Sequence, residues 1–324
     1  MKRSEVIMVA VGVLLACSAC AQAVLIEWVT VGDAGNAADT EVMNDKTTGY
    51  GSVSYVYWIG KYEVTNSQYC GFLNAVAAVD TYDLYNSDMA AGGVRDSGGI
   101  VRADSRWGYR YSVKPGRGND PVNYVSWYDA QRFANWLHNG QPVGPQDATT
   151  TEDGAYTFSG ATSVGPRNPG AKVFLTSEDE WYKAAYYKAG GTDAGYWDYA
   201  TQSDTQPTLE PPPGGNNSAN AGTAPAGGHG LTNVGAYVDS VSAYGTYDQN
   251  GNVAEWMETR TGFAGCYLRG GSWDINPIVM AAYVRDSTTI EAWNFGFRVA
   301  MVPEPATILL FGLGGLALLR NRRV

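Results

Sequence analysis

Helical periodicity appears only three times in this chain, for about three turns each time, and that limits the fold more than any other feature. Asn66 to Val76 sets Tyr69, Phe72, Leu73 and Val76 on one face behind a Thr65 N-cap. Ser126 caps a second stretch whose apolar stripe is Trp127, Ala130, Phe133, Ala134 and Leu137. Thr176 and Asp179 offer a Thr-x-x-Asp cap to a third helix over 178–188. Between and around these run long segments rich in Gly, Asp, Ser and Pro, at 80–118, 140–170 and 190–230. Alternation predicts a strand over 55–62 and a shorter one over 173–175, with an opening strand and loop in 24–50. Forty Gly and only 17% charged residues fit turns and loops rather than a helical bundle. No linker divides 24–301 into two cores, and no repeat recurs at a fixed period. The expectation is one loop-rich α+β domain.

The two ends are of another kind. Lys2 and Arg3 precede an apolar run, Val6 to Ala16, and the small-x-small site Ala21-Gln22-Ala23. That order reads as a signal peptide over 1–23. A lipoprotein reading, with Leu14-Leu15-Ala16 before Cys17, and a buried first helix are the alternatives. At the other end, Val302-Pro303-Glu304-Pro305 leads into an uncharged, largely apolar run from Ala306 to Leu319, closed by Arg320, Arg322 and Arg323. Fourteen helical residues span about 21 Å, short of a hydrocarbon core of about 30 Å, but flanking residues and snorkelling arginines extend the reach. The segment 302–324 is therefore expected to hold the chain in a membrane as a C-terminal helix. Kept as an anchor or removed later, such a segment places the domain outside the cytoplasm.

The stretch between these ends holds 17 basic and 30 acidic residues. Such a balance argues against nucleic acid or anionic lipid as partners and suits divalent cations. Cys17 and Cys20 lie in the leader, which leaves Cys70 and Cys266; in an oxidising compartment they can pair, and two buried small residues fit equally. His138 and His229 cannot build a three-histidine metal site.

Six segments occur in an order that identifies a resemblance. They are Ile59-Gly-Lys-Tyr-Glu-Val-Thr-Asn-Ser-Gln-Tyr69, Pro121-Val-Asn-Tyr-Val-Ser-Trp-Tyr-Asp-Ala130, Leu175-Thr-Ser-Glu-Asp-Glu-Trp181, Gly245-Thr-Tyr-Asp-Gln-Asn-Gly-Asn-Val-Ala-Glu-Trp256, Leu268-Arg-Gly-Gly-Ser-Trp273 and Asn294-Phe-Gly-Phe-Arg298. Together they resemble the formylglycine-generating enzyme (sulfatase-modifying factor) family across nearly all of 24–301. The tail 302–324 resembles the PEP-CTERM sorting signal, which implies removal by an exosortase-type enzyme and passage to the cell surface or an extracellular matrix; a plain anchor is the alternative.

The family resemblance implies a C-type-lectin-like variant fold. It also implies calcium at Asp248, the carbonyls of Gly251 and Val253, and Glu255, a set of oxygens suited to a hard cation. A turn whose carboxylates cap backbone N–H groups is the alternative for that loop. A second family calcium site would fall near Asn220 and Ala221. The family's oxidation chemistry needs two cysteines after the Gly-Gly-Ser motif to bind copper. Here those positions are Ile275 and Met280, and Cys266 lies before the motif. Isoleucine has no donor and one thioether is weak, so copper is not expected.

No other spacing in the sequence builds a triad or a phosphate loop. The expected function is an exported surface or matrix protein, non-catalytic for formylglycine generation, that binds a glycan or peptide or serves as structure. Ser272, Trp273, Asn276, Arg285, Trp293 and Asn294 flank the family's catalytic groove and are the candidate ligand residues. The alternative is a divergent oxidoreductase acting on a protein cysteine.

Overall fold

A computed structural model describes residues 23–303 except 91–95, 223–229 and 263–264. The leader and the apolar tail, on which the signal-peptide and membrane-helix expectations rest, lie outside the described residues. Among the described residues, no helix is long and apolar enough to cross a membrane.

Three helices carry the regular α structure: α1 (Asn66–Val76), α2 (Trp127–His138) and α3 (Glu178–Tyr186). Each begins with a complete capping box. Thr65 pairs with Gln68 and Ser126 with Asp129, where the sequence places the caps. For α3 the cap is Ser177 with Glu180, one residue beyond the expected Thr176 and Asp179. The reason is burial: Thr176 sits in the interior with its hydroxyl unpartnered, while Ser177 Oγ accepts from Glu180 N. The helix also stops two residues short of the expected end, at an extended Tyr187.

Strands β1 (Trp28–Val31), β2 (Tyr57–Gly60), β7 (Val173–Leu175) and β12 (Val299–Met301) make one four-stranded sheet in the order β1-β2-β12-β7. All its pairs are antiparallel, with Val29 opposite Ile59, Ala300 opposite Ile59, and Ala300 opposite Phe174. The first and last strands of the domain thus share one sheet, which closes the chain into a single unit. The second sheet has the order β10-β9-β8-β11, from β8 (Ala254–Arg260), β9 (Cys266–Arg269), β10 (Asp286–Thr288) and β11 (Phe295–Phe297). Its β8–β11 pair is parallel. Two hairpins stand apart: β3 (Ile100–Ala103) with β4 (Arg110–Val113), and β5 (Phe158–Gly160) with β6 (Ser163–Val164).

The main core packs α1 and α2 against the sheets. Tyr69, Phe72, Phe133, Trp136 and Phe297 form a ring cluster with centroids 5.3–6.4 Å apart, within the range where edge and offset contacts stabilise beyond area alone. Cys70 and Cys266 are both free and buried in this core, so the disulfide alternative is not realised. Burial pushes each thiol up to about 11. The interior also holds ion pairs, each satisfied from several sides. Arg167 bridges Glu180 and Glu258, and Glu178 is shared by Arg269 and Arg285. Buried charge persists only where such pairing offsets its desolvation.

Candidate functional site

The loop 245–253 delivers the chain into β8 at the centre of the second sheet. Asp248, Gly251 and Asn252 all have positive φ, which curls the backbone tightly. A Cβ at Gly251 would lie 2.3 Å from the Asn220 carbonyl, so only glycine fits. Asn252 N donates to that same carbonyl at 2.9 Å, and Asn220 Nδ2 donates to Asn252 Oδ1 at 3.1 Å. The residues expected for two separate cation sites are thereby stitched together. Ala221 is buried against Met280 and Tyr199.

Glu255 is fully buried and heavily engaged. Arg298 donates to both of its oxygens at 2.6 Å, and Trp181 Nε1 adds a third bond at 2.8 Å. Arg298 is fixed in turn on the carbonyls of Gly60 and Tyr247. Asp248 Oδ2 accepts one bond, from Gly235 N. The contrast is Glu63, at the β2–α1 junction. It is buried, and neither carboxylate oxygen has a hydrogen-bond partner. Burial, then the neighbouring Asp248, raises Glu63 well above the usual carboxylate range. Burial also pushes Asp248 up to about 6.

Three buried carboxylates therefore face one guanidinium. If all ionise, the cluster carries two uncompensated negative charges, and the upward shifts of Glu63 and Asp248 show that burial here favours their protonated forms. Glu63 rather than Glu255 is the carboxylate with both oxygens open. The carbonyls of Gly251 and Val253 receive no hydrogen bond among the described residues. The three carboxylates are neighbours but are not grouped closely enough to hold a metal ion by themselves, and no other group of three or more His, Cys, Asp or Glu among the described residues is, so a cation here would depend on backbone oxygens.

The second locus is the groove after Gly-Gly-Ser. Ile275 lines a cavity of about 270 Å³ together with Leu268, Val279, Val284 and Phe295. Met280 ends a short 3-10 helix, Pro277–Met280, and is fully buried. Its carbonyl is held by Tyr186 Oη and Asn250 Nδ2, both at 2.9 Å. No thiol lines the cavity.

The six groove candidates separate. Ser272, Trp293 and Asn294 converge on Asp274, a residue the sequence reading passed over. Ser272 Oγ and Asn294 Nδ2 donate to Asp274 Oδ1 at 2.8 and 3.0 Å, and Trp293 Nε1 donates to Oδ2 at 2.7 Å. Trp273 is not on the groove surface; it is buried with Leu231, Val253 and Trp293. Asn276 is exposed and caps the 3-10 helix through Ile278 N. Arg285 borders the cavity, but its guanidinium is taken up by Glu178, Asp45 and Tyr50 and lies 3.6 Å from the Tyr267 ring centroid. No signal in the sequence could separate these roles, because each depends on a partner far away in the chain.

The sulfatase-modifying factor enzyme 1-like domain matches residues 28–302. The chain belongs to the sulfatase-modifying factor family. The PEP-CTERM protein-sorting motif matches residues 302–323, which indicates export and association with the cell surface. Among solved structures the chain is similar to CarF, at 22% identity and a TM-score of 0.52, over 87% of this chain and 100% of that one. It is also similar to Treponema denticola variable protein 1, at 21% identity and a TM-score of 0.50, over 85% and 95%. At these identities the likeness concerns the fold. No curated protein matches the chain.

Proposed function

We propose that this exported member of the sulfatase-modifying factor family is a ligand-binding module that does not oxidise cysteine. The observation that supports the reading is the chemistry of the groove. Where the resemblance requires two thiols there are Ile275, on the wall of an apolar cavity, and Met280, sealed in the core. The two thiols the domain does have are buried elsewhere and raised to about 11, so neither is a ready thiolate at neutral pH. What is left is an apolar pocket rimmed by the Asn44 amide, Asp286 and the edges of Arg269 and Arg285. That lining suits one apolar side chain of a peptide, or the apolar face of a sugar with its hydroxyls on the polar rim.

Calcium belongs to the same reading as a structural ion. Glu63, Asp248 and the carbonyls of Gly251 and Val253 would hold it, with Glu255 steadied by Arg298. Bound there, it would tie the β2–α1 junction to the loop that carries β8 and so stiffen the groove. The second locus at Asn220 and Ala221 would be part of that scaffold.

The direct test is binding by the full chain to glycan and peptide arrays, with Val279→Trp as a filled-cavity control. The reading predicts ligands that Val279→Trp loses while the melting temperature holds. Absence of any ligand from a folded protein, or binding indifferent to Val279→Trp, counts against the groove.

A further inference from the structure

The hairpin β3–β4 reverses the charge of the protein around it. Residues 100–117 contain Arg102, Arg106, Arg110, Lys114 and Arg117 against a single acid, Asp104, in a chain whose formal net charge is −10. Lys114 and Arg117 are engaged, with Asp96 and with Asp96 and Asp120. Arg102, Arg106 and Arg110 are exposed, and among the described residues no carboxylate lies within 4.0 Å of any of them.

Two of the three are held in place by rings rather than by acids. The Arg102 guanidinium lies 4.3 Å from the Tyr109 ring centroid and 4.9 Å from that of Tyr85. That of Arg106 lies 4.3 Å from the Trp107 centroid. Stacking fixes the plane of a guanidinium and leaves N–H groups at its edges for an outside acceptor, although the Arg102 guanidinium also reaches the Tyr111 hydroxyl. Trp107 is itself 68% exposed, an unusual position for so large an apolar side chain.

The platform is rigid. Tyr111 is clamped to α1 through both its backbone N–H and its carbonyl by the Asn74 side chain, and its hydroxyl donates to Ala77 O at 2.9 Å. Tyr109 N donates to Ala78 O at 2.8 Å. Gly108, at φ +101°, lies so close to that carbonyl that a Cβ would meet it at 2.3 Å. Ile100 is buried and pins the other strand. Two ring-held guanidinium groups beside an exposed indole need little ordering when a partner arrives.

We propose that this hairpin is a binding surface for an anionic polysaccharide, a glycan carrying carboxylate or sulfate groups. Each guanidinium fork takes a carboxylate or sulfate in bidentate fashion, and Trp107 offers a flat apolar face to a sugar ring. The acidic remainder of the protein repels a polyanion, but that field is screened beyond about 8 Å at physiological salt, so the partner is engaged at the hairpin alone. A lipid surface is disfavoured, because a single indole supplies little apolar area for insertion. This surface is independent of the groove and of the calcium locus.

The experiment measures binding of the full chain to immobilised polygalacturonate and heparin, with neutral dextran and duplex DNA alongside. Polygalacturonate and heparin are expected to bind and dextran is not, with affinity falling as salt rises. The triple variant Arg102→Gln, Arg106→Gln, Arg110→Gln is expected to weaken polysaccharide binding about tenfold or more. Trp107→Ser is expected to weaken it as well, with an unchanged melting temperature. Arg260→Gln, an exposed arginine outside the hairpin, should bind as wild type. Unaltered binding by the triple variant, an equal loss in Arg260→Gln, or duplex DNA held as tightly as polygalacturonate would overturn the proposal.

Discussion

At the scale of single residues, the buried charges differ in how far they are answered within the protein. Glu255 is answered by Arg298 and Trp181; Glu63 makes no ion pair of its own, and its strongest charged neighbour is the like-charged Asp248. The two glutamates should therefore behave oppositely. Removing Arg298, as in Arg298→Met, leaves Glu255 buried and uncompensated, with an expected cost of about 3–5 kcal/mol in denaturant titration. Glu63→Gln should leave the protein at least as stable as wild type in a chelator, because it removes a carboxylate without a donor. In calcium at 100 times its Kd, wild type should gain about 2.7 kcal/mol and Glu63→Gln should gain little. Melting curves with calcium and with chelator check both, and identical curves for wild type in the two conditions contradict the calcium assignment.

At the scale of elements, the three capping boxes give predictions with a built-in control. Ser177→Ala should cost about 1 kcal/mol, since Ser177 Oγ holds Glu180 N. Thr176→Val should be close to neutral, since it replaces a buried hydroxyl without a partner by a methyl of similar shape. The box of α2 adds a pH dependence. Asp129 is pushed up to about 8, first by burial and then by the nearby Glu291. In the unfolded chain an aspartate titrates near 3.9. Between these values the folded state binds the extra proton, so Asp129 subtracts stability as pH rises from about 4 to 8. Asp129→Asn should flatten that part of a stability–pH profile, and an unchanged profile contradicts it.

How much could be read in advance also differs by element. The three helices, two of their caps and the strand Val173–Leu175 follow from local periodicity and short-range acceptors, so the sequence carries them. The α3 cap was misplaced by one residue because Thr176 and Ser177 are both good acceptors, and only tertiary packing buries the first. The predicted strand over 55–62 is shortened to Tyr57–Gly60, where β1 supplies four paired residues. Sheet order is set by pairings between residues as distant as Ile59 and Ala300, for which no local signal exists. The site follows the same division. The tight turn at Gly251 follows from a local glycine, while the buried carboxylate of Glu63, the Asp274 hub and the sequestered guanidinium of Arg285 arise from residues that meet only in the fold.

At the scale of the whole molecule, the chain keeps the family scaffold, and on the proposed reading Ile275 and Met280, which stand where the resemblance expects thiols, leave it without the cysteine oxidation. Both sheets, the stitched Asn220–Gly251 contact and the buried ion pairs maintain the frame. A sorting motif directs it to the surface, and mass spectrometry of the native exported chain should find its C-terminus trimmed within 302–324. Whether this chain oxidises cysteine is tested by a turnover assay on the full chain. The protein is supplied with copper, oxygen and a reductant, together with a peptide carrying a sulfatase-type cysteine motif, and the peptide is followed by mass. The account predicts an unmodified peptide over many hours, alongside an active family enzyme as positive control. Conversion of the peptide cysteine to formylglycine by this chain would contradict it.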